Sequence, residues 1–266
     1  MDILVALLLY PGLLSIVLLS VLIALPARIG LPALQSLGAI RRGHYVALAI
    51  LSITLAVVAA VLTPWPLHPA ARPPVGNVLV AWVVLEVAAL APLLPGFASG
   101  MPLAVRAASR EAQLGIAGRS VVWVAIAVAG YAGTTAVDLP GSLLAFVAGL
   151  LALPAATGLG PFGAERSLDP DRPAIGLDEP GMALLRLARL VRAVALFGLL
   201  VSAAHPLWVF GAPVALVLTF LGAIGCGFIL RWASMLPRLP LPVGLSWCWW
   251  QALPLAVAGL VYLIVT

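Results

Sequence analysis

PFGAERSLDPDRPAIGLDEPGMALLRLARLVR, Pro161 to Arg192, holds five of the chain's nine carboxylates: Glu165, Asp169, Asp171, Asp178 and Glu179. It also holds five arginines, three of them (Arg186, Arg189, Arg192) repeating every third residue. Around this polar island the chain is 64% hydrophobic and 9% charged, with a mean hydropathy of +1.18. A water-soluble domain carries about 25% charged residues, so this composition excludes one. The fold class is an all-α integral membrane protein, and the island lies beside the bilayer.

Working outward, spans are found where roughly 20 apolar residues match about 30 Å of hydrocarbon. Helices are the open-chain solution, because lipid offers backbone groups no partners. Eight transmembrane helices are expected: Ile3 to Leu25, Tyr45 to Leu62, Val78 to Leu94, Ser120 to Val137, Ser142 to Leu159, Met182 to Ala204, Leu207 to Leu230, and Leu241 to Val265. The whole chain, 1–266, reads as a single polytopic domain with cytoplasmic loops near 26–43, 96–119, 160–181 and 231–240. Leu31, Leu34, Leu37 and Ile40 recur at helical spacing in the first of these, predicting a short surface helix after the first span.

All fourteen cationic side chains are arginine, and thirteen fall in or beside the odd-numbered connections, leaving Arg72 alone in an even one. By the positive-inside rule this places the odd connections in the cytoplasm and both termini outside. The pI near 10.0 therefore reflects membrane orientation, and no nucleic-acid partner is expected. The N-terminus lacks a positive region ahead of its apolar run, so that run reads as a retained span. Cys226 and Cys248 lie within apolar runs and read as small buried hydrophobes.

Glu86 sits mid-span in AWVVLEVAAL. An acid there is costly in lipid and faces protein or water; it reads either as a functional carboxylate or as a hydrogen-bonded packing residue. Arg106, Arg110 and Glu111 are spaced to pair along a helix face. Asp178 and Glu179 sit where a helix begins, at its positive end. The following arginine row serves either as an interfacial anchor, as neutralising charge for Glu86 or the loop acids, or as a dock for an acidic partner. Trp232, Trp247, Trp249 and Trp250 read as interface-belt aromatics. No metalloprotease, zinc, P-loop or dinucleotide motif is present, and GLGPFG, Gly158 to Gly163, follows a span. No metal ligands are expected, and the chemistry classes that remain are conduction, transport, or anchoring an enzyme.

Three stretches carry a family resemblance. ARIGLPALQSLGAIRR (Ala27 to Arg42), FASGMPLAVRAASREAQLG (Phe97 to Gly115) and the loop ending Asp178-Glu179-Pro180-Gly181 before ALLRLARLVRAV resemble the membrane subunit shared by respiratory complex I (its subunit 1, the bacterial H subunit) and the group 4 membrane-bound nickel-iron hydrogenases, the formate hydrogenlyase type included. The resemblance implies a non-catalytic membrane anchor of an oxidoreductase. Its partners would be hydrogenase-like large and small peripheral subunits, antiporter-like membrane subunits and the lipid bilayer. It implies no cofactor on this chain, with iron-sulfur clusters and nickel-iron in partner subunits, and location in a bacterial or archaeal cytoplasmic membrane. A proton or coupling path would use Glu86, Glu111, Glu165, Asp178 and Glu179, and docking would use Arg28, Gln35, Arg110, Asp169, Asp171, Arg186 and Arg189. Where the family's sixth span opens with acids, this chain has Arg186 and Arg189, and fixed cations there hinder a proton wire. Two other function classes stay open: a stand-alone secondary transporter using Glu86, and a quinone-binding subunit.

Overall fold

The computed structural model describes Leu8 and residues 12–27, 44–63, 77–131, 136–162, 179–204, 212–235 and 239–266. Their regular structure is entirely helical. In chain order it comprises α1 (Leu13–Ala27), α2 (His44–Val61), α3 (Asn77–Leu90), a 3₁₀ turn (Ala91–Leu93), α4 (Leu94–Ala98), α5 (Pro102–Tyr131), α6 (Leu139–Thr157), α7 (Glu179–Ala203), α8 (Ala212–Met235) and a last helix in three segments. Those segments are α9 (Leu241–Ser246), a π-helical turn (Trp247–Ala252) and α10 (Leu253–Val265). The expected surface helix after the first span, and Arg28, Gln35, Glu165, Asp169, Asp171 and Asp178, fall outside the described residues.

Each of the eight expected spans contains a helix. Five stretches are long and apolar enough to cross a membrane: Val78–Ala98, Pro102–Tyr131, Leu139–Thr157, Leu216–Ala233 and Leu241–Val265. Helices α1 and α2 are shorter apolar helices, and α7 is 25 residues long but carries the arginine row. The principal departure concerns 96–119, which the sequence reads as a connection. From Pro102 on, that stretch is the first half of the 30-residue α5. It is rich in alanine, and Glu111 and Arg119 turn to neighbouring helices while Arg106 and Gln113 stay exposed.

Helix α7 is the centre of the bundle, packing against α1, α2, α5 and α6, with smaller contacts to α3 and α8. Every residue from Ala188 to Ser202 is buried, the signature of a helix that is apolar all round and surrounded by others. Around it, neighbouring backbones come close through small residues. A Cβ on Gly118 of α5 would collide with the backbone nitrogen of Ala156 in α6, and one on Gly227 of α8 would lie 2.5 Å from the Ile23 carbonyl of α1. Gly141 of α6 and Gly259 of α10 meet in the same way. Such crossings give close dispersion contact, which drives helix association where lipid is as apolar as the side chains.

The spans are not all straight. Pro92 has no N–H, so the Ala88 carbonyl four residues back loses its helical donor. The backbone tightens there into the 3₁₀ turn, with Leu94 N–H bonding the Ala91 carbonyl instead. The carbonyls of Ala88 and Ala89 are thereby left to find donors from other helices.

Candidate functional site

Those freed carbonyls lie against charge. Ser52 Oγ of α2 donates to Ala88 O at 2.6 Å. Arg192 of α7 places Nη1 at 3.0 Å from Ala89 O and 3.4 Å from Ala88 O. Arg192 is 5% exposed. A guanidinium deep in a bundle needs acceptors, and here a proline break one helix away supplies them.

Two ion pairs flank it. Glu86 of α3 accepts from Arg119 Nε of α5 at 2.8 and 3.0 Å on its two oxygens, and from Trp123 Nε1 at 3.2 Å. Trp123 in turn meets Trp82 edge to face, ring centroids 6.1 Å apart. Arg119 is 4% exposed, whereas the Glu86 side chain keeps 28% of its surface open. On the other side, Arg189 of α7 forms a two-pronged pair with Glu111 of α5, Nη2 to Oε2 at 2.8 Å and Nε to Oε1 at 3.1 Å. This fork geometry is the strong form of the interaction. Both partners are buried, at 4% and 8% exposure. Gly158, ending α6 at a φ of +68°, lets the chain turn directly over Glu111, and a Cβ there would sit 3.1 Å from Oε1.

Arg192 lies within electrostatic reach of all four charged groups. The bundle interior therefore holds a connected set, Glu86, Arg119, Arg192, Arg189 and Glu111, with three cations and two anions. Arg119 Nη2 and Arg192 Nε are buried without a hydrogen-bond partner. Removing one partner of a buried pair costs more than the pair contributes, because a charge is left uncompensated. Glu86→Gln preserves an acceptor for Arg119 and Trp123 and is expected to cost about 1–3 kcal/mol. Glu86→Leu orphans both donors and is expected to cost more, read as melting temperature in detergent. Equal melting of the two variants would remove these hydrogen bonds from the account.

Of the sequence-derived site residues, Glu86, Glu111 and Arg189 come together in this set, joined by Arg119 and Arg192. Arg119 reads from sequence as a charge flanking a connection, and Arg192 as one of a row that anchors the helix, neutralises Glu86 or the loop acids, or docks a partner; neither is among the sequence-derived site residues. The available signal was Glu86 itself, since a lone intramembrane acid calls for a cation. Arg110 is outside the set and donates through Nη2 to the Leu239 carbonyl, at the entrance to the last helix. Arg186 lies on the exposed side of α7, and Glu179 is the first residue of that helix. Trp232, Trp249 and Trp250 are exposed, whereas Trp247 donates to Leu151 O at 3.0 Å and lies tilted against Phe162, ring centroids 6.4 Å apart. Cys226 and Cys248 are buried and free.

The sequence matches no known protein-family profile and no curated protein. The structure does have a solved counterpart. It superposes on a chain in the structure of the membrane-bound sulfane sulfur reductase, an archaeal respiratory membrane complex, with a TM-score of 0.67. The match covers 98% of this chain and 98% of that one, at 18% identity. The fold is shared with a chain of a respiratory membrane complex. At that identity the likeness concerns backbone architecture, so any role for the charge set in this protein has to come from its own geometry.

Proposed function

We propose that this protein is a membrane subunit of a multi-subunit respiratory oxidoreductase of the hydrogenase or complex I kind, related to their shared membrane-anchor subunit. The observation that carries this reading is the fold correspondence over the whole chain. All eight apolar segments cross the bilayer of a bacterial or archaeal cytoplasmic membrane, with both termini outside. Setting aside Arg119, Arg189 and Arg192 as interior charges leaves ten arginines on the odd connections against one, so the orientation argument survives the correction to α5.

In this reading the connections around Arg28, Gln35, Asp169 and Asp171, with exposed Arg186, receive hydrogenase-like peripheral subunits that hold the iron-sulfur or nickel-iron centres. Antiporter-like membrane subunits pack on the flank of the bundle. Arg110 and Arg189 instead hold the chain's own helices together. A proton or coupling path would use Glu165, Asp178 and Glu179 together with Glu111 and Glu86, and the partly open carboxylate of Glu86 is the point where a proton can enter or leave. Each of the two interior carboxylates is engaged by a guanidinium, so proton movement along this line requires an ion pair to open first. Purification of the native assembly is expected to bring down iron-sulfur subunits, and an assembly without them would overturn the proposal.

A stand-alone transporter built on Glu86 is disfavoured by the engagement of that carboxylate with Arg119 and Trp123. Ion uptake by the isolated chain in liposomes, lost in Glu86→Gln, would favour it instead. A quinone-binding role would appear as quinone retained on purification.

A further inference from the structure

A surface pocket of about 320 Å³ opens beside the first half of α5, lined by Val105, Arg106, Ser109, Arg110, Gln113 and Leu241. Among the described residues its charge is one-sided: two arginines, two neutral polar side chains and no carboxylate. Arg106 and Arg110 are four residues apart on the same helix face, where like charges repel. Arg106 is exposed, with no hydrogen-bond or ion-pair partner among the described residues, and Arg110 Nε is buried without an acceptor. A repelling pair with unused donors and a neutral polar rim is suited to an anion with several oxygens.

The position of the pocket identifies the class of anion. At 1.5 Å per residue α5 is about 45 Å long, whereas the hydrocarbon layer takes about 20 residues of helix. Counting back from Tyr131, that layer ends near Ala112, and Pro102 to Glu111 overhang it. Arg106 and Arg110 are thus at headgroup depth, with Leu241 entering the last span beside them and exposed Leu103 one turn before Arg106.

We infer that this pocket binds the phosphodiester of an anionic phospholipid, with the arginines forking its oxygens and the acyl chains lying against the apolar flank. Basic pockets between membrane helices hold such headgroups, and the inference stands independently of the oxidoreductase reading.

The test is native mass spectrometry of the full chain, purified in detergent with whatever subunits accompany it, using dioleoyl phosphatidylglycerol against dioleoyl phosphatidylcholine. The wild type is expected to retain phosphatidylglycerol selectively. Arg106→Gln is expected to lower that retention about tenfold, as for loss of one charge-assisted hydrogen bond, and Gln113→Ala to lower it by less. Arg72→Gln, which removes the arginine of an even-numbered connection, is expected to leave it unchanged, and millimolar inorganic phosphate is expected not to displace the lipid. Equal retention of the two lipids, equal losses in the two arginine variants, or displacement by phosphate would each overturn the assignment. So would loss of an accompanying protein subunit in Arg106→Gln with lipid retention intact, which would mean that a protein carboxylate fills the pocket.

Discussion

Arg189→Leu is expected to destabilise this protein by about 3–5 kcal/mol, the cost of leaving one buried member of an ion pair without the other. Glu111 would keep its place between α5 and α6 under Gly158, deprived of its two-pronged donor. Glu111→Leu is expected to do comparable damage by stranding Arg189. The double variant Glu111→Leu/Arg189→Leu is expected to recover most of the loss, because well-packed apolar residues can replace a buried pair at little or no cost. Melting temperatures of the four proteins in detergent complete the cycle. Additive losses would show that the two side chains do not act as a pair, and the interior set would lose one arm.

Gly118→Val is the second large effect. No rotamer relieves it, because the colliding atom belongs to the backbone of Ala156. Overpacking a core typically costs 1–3 kcal/mol when side chains can shift; here the two helices themselves would have to separate, so more than about 3 kcal/mol is expected and little folded protein should be recovered. Gly130→Val on the same helix is the matched comparison, since no described residue lies within 4 Å of its Cβ position. Size-exclusion profiles and melting temperatures of the two variants report the difference. If both behaved alike, the close crossing of α5 and α6 would not be what holds these helices.

The helices were legible because apolar runs of bilayer length leave little choice of structure, and the start of α7 at Glu179 agrees with the acids placed at its positive end. The course of α5 was not. Arg106, Arg110, Glu111 and Arg119 make Pro102 to Arg119 look like a solvated connection, and only packing shows that Glu111 and Arg119 face other helices. The same ambiguity hid the site. Arg119 precedes an apolar run, as an orienting flank residue does, yet its partner is Glu86, 33 positions earlier. Spacing along one helix can reveal partners three or four residues apart, but it says nothing about partners on different helices. The acceptors of Arg192 are backbone atoms, which sequence motifs do not record, and the one local clue was Pro92 standing four residues after Ala88.

The proline break in α3 also bears on how the chain enters its bilayer. An arginine at the middle of a lone helix resists partition from the translocon by roughly 2.5–3.5 kcal/mol, so α7, with Arg189 and Arg192 both buried, is a poor candidate for insertion on its own. The acceptors that hold Arg192 and Arg189 are encoded upstream: the Ala88 and Ala89 carbonyls, at the end of α3, and Glu111 on α5. When α7 leaves the ribosome, the groups that neutralise it are already synthesised and waiting, so biogenesis runs in the order that the electrostatics require. A permuted gene that made α7 first would present the insertion machinery with those cations before anything could receive them.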